Sequence, residues 1–295
     1  PQYNKVRTVF TIHNIEYQGK MPLDFASDVL GVDCNTAAAL TYDGCINLMK
    51  GAIVSADIVS TVSKRYAEEI CSPEYAHGLD RILRDNAYKL TGILNGIDYN
   101  YYDPANDSAI DTNYTWRSQK KKYENKKALQ REIGLPERDD VPMISVISRL
   151  ASHKGLDLVT KMIYRLVGER DVQLVVLGKG EAAYEKFFCD LQANFPDRVR
   201  ALITYDRDLA KRIYAASDIF MMPSKSEPCG LSQMIASRYG AIPVVRETGG
   251  LADSIHGYWE TEDGTLMGNG FTFANYSAAE LYERTCAAVE LLKDK

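Results

Sequence analysis

Paired cysteines are missing from this sequence. Its six cysteines, at positions 34, 45, 71, 189, 229 and 286, are scattered, and none stands in a C-x-x-C pair or at zinc-ligand spacing from the four histidines. A disulfide framework is therefore not expected, and free thiols in a reducing cytoplasm fit best. No apolar run reaches 18 residues, so no membrane span is expected. Positive charge is not in excess: 35 Lys and Arg stand against 40 Asp and Glu, a formal charge of −5. That argues against a nucleic-acid partner held by bulk electrostatics, yet it leaves room for a local basic pocket around one small anion. No internal repeat or low-complexity segment occurs. No leader pattern opens the chain; Pro1 runs almost at once into a strand, which looks like a cut end. The N-x-S/T triplets at Asn106, Asn113 and Asn275 carry little weight without a secretory context.

What is there is an ordinary globular composition, 45% apolar and 25% charged, over 295 residues, enough for two domains with sizeable cores. In the first half, "TVFTIH" (8–13), "DIVSTVS" (57–63) and "KLTGIL" (89–94) read as strands by their β-branched content. "CINLMKGAIV" and "KRYAEEI" read as helices. The stretch 99–122 is polar, shows neither period, and reads as a linker or a long surface excursion. In the second half, strands are expected at 143–148, 172–177, 199–204, 219–223, 242–245 and 270–273, with a helix between each pair and after the last. The helix at 181–194 places Tyr184, Phe187, Phe188 and Leu191 on one stripe. Runs such as "QLVVLG" are apolar on both faces, as strands covered by helices on both sides should be. Six such units make a doubly wound parallel sheet. The first half, with about three strands, reads as an incomplete domain.

Ligands of open parallel sheets bind beyond the carboxyl ends of the strands, and unusual residues cluster there. "SRLASHKG" (148–155) brings Arg149 and Lys154 to a strand end and a helix start, where two cations can cradle a diphosphate; on spacing alone, two solvated surface charges would be the better explanation. The turn lacks G-x-G-x-x-G, the fingerprint of nicotinamide and flavin sites. "SKSEPCGLSQMIASRYG" (224–240) puts Glu227 in a strand-to-helix loop, able to cap the helix or to accept from sugar hydroxyls. The backbone of Cys229, Gly230, Leu231 and Ser232 would offer amides to an anion, with Gly230 permitting close approach. Cys229 reads as a packed side chain, not a nucleophile. Gly249 and Gly250 in "RETGGLADSI" permit a tight turn at a helix start, and "TIHNIEYQG" and "LNGID" place His13 and Asn95 at further strand ends, with Asn95 and Gly96 reading as a turn. Asp206, Arg207 and Asp208 form a D-x-D triplet, expected to cap a helix; no metal and no cofactor is expected.

In this order, "TVFTIHNIEYQG", "ADIVSTVSKRYAEEI", "GILNGID", "SRLASHKGLDLV", "MPSKSEPCGLSQMIASRYGAIPVVRETGGLADSI" and "GNGFTF" resemble bacterial glycogen synthases and plant starch synthases, retaining glycosyltransferases of family 5. Family 4 relatives carry a second glutamate eight residues after the first, where this chain has Ile235; Gln233 stands where family 5 usually has glutamine. The resemblance implies an α/β chain of the GT-B arrangement. Residues 1–98 would be the C-terminal portion of an acceptor-side Rossmann-like domain, 99–122 a linker or excursion, and 123–295 a complete donor-binding Rossmann-like domain. It implies transfer of glucose from ADP-glucose to the 4-hydroxyl at the non-reducing end of an α-1,4-glucan with retention, in the cytoplasm, with no nucleic-acid or membrane partner.

Carried over by position, Arg149 and Lys154 bind the diphosphate and stabilise departing ADP, Glu227 contacts the glucose hydroxyls, and the backbone at 229–232 assists. Tyr205 stacks on adenine, His13 lies near the anomeric carbon, Asn95 lines the same cleft, and Thr248 and Gly249 are donor-loop positions. The family's lysine-threonine-glycine-glycine motif does not precede Thr8, and its C-terminal crossing helix does not follow Lys295, so this chain reads as a fragment inactive alone. "Lys-Ser" at 225–226 replaces the common Arg-Phe, and "Tyr-Asp-Pro" at 102–104 the usual Trp-Asn-Pro. The alternatives are a non-catalytic nucleotide-binding fragment and a family 4 transferase acting on a small sugar.

Overall fold

The computed structural model describes residues 5–293, which form two compact units. The first runs to Asn95 and takes in Glu227–Cys229; the second comprises Gly96–Ser226 and the chain from Gly230 onward.

In the first unit, β1 (Val9–Ile12), β2 (Ile58–Thr61) and β3 (Leu90–Gly92) lie parallel in the order β1-β2-β3, the three strands expected there. The segment "CINLMKGAIV" is not helical throughout. Cys45–Asn47 is a strand, paired antiparallel with Lys20–Met21 and Thr41–Tyr42. The helix α1 (Leu48–Ser55) starts only after Asn47, whose side chain accepts from the Lys50 amide at 2.9 Å and so fixes the N-cap. The helix α2 (Lys64–Glu69) begins the same way, with Ser63 Oγ accepting from the Tyr66 amide at 3.2 Å. Tyr66 is fully buried and its hydroxyl accepts from the Ile15 amide at 3.1 Å; burial pushes its phenol up to about 12.

The second unit carries a six-stranded sheet of β4 (Met143–Ile147), β5 (Gln173–Leu177), β6 (Val199–Leu202), β7 (Ile219–Met222), β8 (Ile242–Arg246) and β9 (Phe271–Phe273). All pairs are parallel, in the order β9-β8-β7-β4-β5-β6. This is the doubly wound order, and every strand expected in this half is present within two residues of its expected ends. The helices that follow them are α4 (Leu156–Glu169), α5 (Ala182–Asn194), α6 (Arg207–Ala216), α7 (Ser232–Arg238), α8 (Gly249–Ser254) and α9 (Ala278–Lys293). On α5, Phe188 and Leu191 are buried while Tyr184 and Phe187 pack beside them.

Both faces of the sheet are covered, as period-2 alternation requires. Ile144, Val146, Leu174, Val176, Ile219 and Met221 join the core that includes Val159, Ile163 and Leu166 of α4 and Leu281 and Val289 of α9. The alternate residues face the other side, Phe220 and Met222 with Ile235 and Ala236 of α7, and Met143 and Val175 with Ile213 of α6. Full burial of each such side chain contributes about 1.5–3 kcal/mol.

A helix absent from the sequence reading, α3 (Lys122–Ile133), precedes the sheet. Its buried face is polar: Asn125, Lys126 and Gln130 lie beside Leu129. Lys126 Nζ donates to Asp218 Oδ2 and to the Val141 carbonyl, both at 2.6 Å. Asp218 Oδ2 also accepts from the Met143 amide at 2.8 Å, so one buried ion pair ties α3 to the start of β4 and the foot of β7. Of the two readings held open for 99–122, burial favours an excursion packed on this unit. Asp107, Ile110 and Tyr114 are buried, and Tyr114 Oη donates to the Tyr239 carbonyl at 2.8 Å. Among the described residues, no helix is long and apolar enough to cross a membrane.

Candidate nucleotide site at the switch point of the second unit

From the adjacent strands β4 and β7 the chain winds in opposite directions, and a ligand crevice is expected beyond their carboxyl ends. A cavity of about 580 Å³ opens there, within the range of small-molecule sites. Its walls come from the carboxyl ends of β4 (Ser148, Arg149), β5 (Gly178, Lys179) and β6 (Thr204, Tyr205) and from the start of α7 (Leu231, Ser232). Arg149, Lys179 and Arg207 line it against the carboxylate of Asp206, while Lys211, also in the lining, is paired with Asp107. In a chain of net charge −5, that is a concentrated positive pocket, the local exception the composition left open.

Local bonding explains why these loops meet. Arg149 Nη2 lies 3.3 Å from His153 Nε2. The carbonyl of His153 accepts from the Lys225 amide at 2.9 Å, and the Lys225 carbonyl accepts from Arg246 Nη1 at 2.6 Å. The turns after β4 and β7 and the carboxyl end of β8 are thus bonded in series. Lys154 ends the short 3-10 turn Ser152–Lys154. Gly155 follows with φ +72°, and a Cβ there would stand 2.0 Å from the Pro223 carbonyl oxygen. Only glycine permits that backbone approach and that dihedral.

The cavity brings together four of the sequence-predicted residues: Arg149, Tyr205, Leu231 and Ser232. Tyr205 is 77% exposed and its hydroxyl accepts from Arg207 Nε at 3.2 Å. Lys154, Thr248 and Gly249 belong to the same unit but do not line the cavity. Thr248 is buried at the N-cap of α8, and Gly249 opens that helix with φ +45°. Gly230 has φ +71°, and a Cβ there would meet the Gln233 side chain at 2.6 Å. Glu227 and Cys229, both buried, group with the first unit. The N-cap position of α7 is Leu231, four residues past Glu227. In the first unit, His13 is exposed just past β1, and Asn95 is half-buried in irregular chain past β3, without the turn expected at Asn95 and Gly96. Asp206 caps α6, its Oδ1 accepting from the amides of Asp208 and Leu209 at 3.0 and 2.9 Å, which accounts for the D-x-D triplet.

The sequence reading missed Lys179, Lys211, Tyr101 and Tyr102. Lys179 lies just past a strand that had been recognised, so the strand-end rule applied to "LGKG" would have found it. The tyrosines reach the cavity through the excursion 99–122, whose packing local sequence does not encode.

A family model described as "Glycosyl transferases group 1" matches residues 127–291. The chain belongs to the group 1 glycosyl transferases. A second model, "Starch synthase catalytic domain", matches residues 1–85. Over 283 residues, 95% of the chain, it is 48% identical to a glycogen synthase of Bacillus licheniformis, 58% of which is covered. A glycogen synthase of Clostridium perfringens is 47% identical over the whole chain, with 61% of that protein covered. The chain therefore spans about three fifths of the length of these curated relatives. Among solved structures, the catalytic domain of Arabidopsis thaliana starch synthase IV bound to ADP and acarbose superposes with a TM-score of 0.87 at 36% identity, over 98% of this chain and 60% of that one. An Anabaena protein in complex with UDP and glucose shares the fold alone, with a TM-score of 0.57 at 17% identity over 96% of this chain and 61% of that one. The fold class is thus α/β of the GT-B type, as the resemblance implied.

Proposed function

We propose that this chain is part of a glycogen or starch synthase that transfers glucose from ADP-glucose to the non-reducing end of an α-1,4-glucan, with retention of configuration. The observation that carries this reading is the positive cavity at the β4–β7 switch point, in a chain 47–48% identical to glycogen synthases. The starch synthase neighbour is bound to ADP, a nucleoside diphosphate, and to acarbose.

In this reading Arg149 and Lys154 hold the diphosphate. As the bond from the anomeric carbon to the phosphate oxygen breaks, negative charge grows on ADP, and two fixed cations stabilise it where it develops. The acceptor O4 bonds to the anomeric carbon on the same face, and its proton passes to the departing phosphate oxygen. No carboxylate pair at glycosidase spacing is then required. Tyr205 stacks on adenine. Glu227 accepts from the glucose hydroxyls, with the backbone at 229–232 assisting phosphate and sugar. His13 stands by the oxocarbenium-like carbon, and Asn95, Thr248 and Gly249 complete the donor surroundings. The site works in the cytoplasm, which suits its six free thiols.

The test is incorporation of glucose from ADP-glucose into glycogen by the intact natural protein. Incorporation that falls by about 10²-fold or more in Lys154→Ala and in Glu227→Ala, with unfolding midpoints little changed, supports the assignment. No incorporation from ADP- or UDP-glucose refutes it. Binding of ADP without any transfer supports a nucleotide-binding piece instead.

A further inference from the structure

Tyr101 lines the cavity yet remains 42% exposed, and the groups around it are unusual. Lys211 Nζ sits 3.9 Å from its ring centroid, at cation–π distance. That ammonium pairs with Asp107 at 3.2 Å, the two side chains being 9% and 2% exposed. Asp107 also accepts from the Tyr239 hydroxyl. The rings of Tyr101 and Tyr102 meet edge to face, centroids 4.8 Å apart at 89°. A buried ion pair is a weak source of stability, because desolvation offsets most of the Coulomb attraction. Its visible consequence here is orientation: Tyr101 is held by an ammonium and by a neighbouring ring. An aromatic ring fixed before binding loses little entropy when a ligand covers it.

We infer that Tyr101 is a second stacking platform for the base of the nucleotide, in addition to Tyr205, and that the Lys211–Asp107 pair is its positioning device. This rests on the nucleotide reading of the cavity. Both rings line the same cavity, as does Arg207, which is bonded to Tyr205. The ligand class is a nucleoside diphosphate, with the base on the tyrosine side and the phosphates toward Arg149. Tyr99, two residues away, provides the contrast. It is more exposed than Tyr101, stacks with Arg238 at 5.1 Å, and does not line the cavity.

Calorimetric titration of the intact protein with ADP and with inorganic pyrophosphate tests the inference. Tyr101→Ala should weaken ADP about 5- to 150-fold, the scale of one lost base–aromatic stack, and leave pyrophosphate affinity unchanged. Tyr101→Phe should restore ADP affinity, and Tyr99→Ala should not alter it. Tyr101→Leu keeps apolar cover over Lys211 and should still lose ADP, which separates stacking from loss of packing. If Tyr205→Ala loses ADP affinity while Tyr101→Ala and Tyr101→Leu keep it, the inference is overturned and the nucleotide reading stands. If ADP does not bind the wild-type protein at all, both are overturned.

Discussion

Replacing Gly155 with alanine places a methyl group 2.0 Å from the Pro223 carbonyl oxygen, backbone against backbone. Neither group can rotate away, so one turn must retreat by about 1.5 Å before ordinary contact returns. The left-handed dihedral of +72° adds about 1–2 kcal/mol for any residue with a Cβ. Relieving the overlap adds about 1–3 kcal/mol, as in overpacked cores. A loss of about 2–5 kcal/mol follows, enough to lower the unfolding midpoint by several degrees. The functional consequence follows from the bonding. The displaced turn carries Lys154 and holds Lys225 through the His153 carbonyl. Misplacing a phosphate-binding cation by about 1 Å costs on the order of 10²-fold in rate. The control is Gly168→Ala, near the end of α4 with nothing within 4 Å of its built Cβ, which should stabilise by about 0.5–1 kcal/mol and leave activity intact. Denaturant unfolding and glucose transfer by both variants check this. If Gly155→Ala matches wild type in both, the turn is not under the constraint described and its role in the site falls.

Three further outcomes are expected. Lys126→Ala leaves Asp218 buried without its ammonium, only 12% exposed, and should cost about 3–5 kcal/mol in denaturant unfolding; a loss under about 1 kcal/mol would show the pair to be dispensable. Lys122 Nζ donates to the carbonyls of Tyr214, Ala215 and Tyr239, and burial pushes its pKa down to about 7, with Asp218 pulling it up and Lys126 adding to the drop. The unfolded chain then binds more protons between pH 7 and about 10.5, so this group makes stability rise with pH over that window and flat below it. The stability difference between wild type and Lys122→Met should grow from pH 7 to 10, and a constant difference would contradict the assignment. Tyr205→Ala should weaken ADP by about 1–3 kcal/mol; unchanged affinity in calorimetry would place the base elsewhere.

The parallel sheet of the second unit was legible because its strands are apolar on both faces and each is followed by an amphipathic stripe, as at Phe188 and Leu191. The helix α3 was not, because the positions it buries are Asn125, Lys126 and Gln130, satisfied by distant partners: Thr112, Asp218 and Gln173. Apolar periodicity cannot report a face whose polar groups are matched across the fold. Asn47 was a readable cap that the apolar run after Cys45 obscured. At the site, Arg149 and Tyr205 were found through their places at strand ends. Lys211 and Tyr101 were not, since their pairing joins residues 110 positions apart in the chain.

The central claim is that cations at the carboxyl ends of β4 and its neighbours converge on one diphosphate. A crystal of the intact protein soaked with ADP tests it most directly. The account predicts density in the switch-point cavity, with phosphate oxygens in hydrogen-bond reach of Arg149 and Lys154 and the adenine on Tyr205. ADP bound anywhere else, or phosphates beyond reach of both cations, would contradict it.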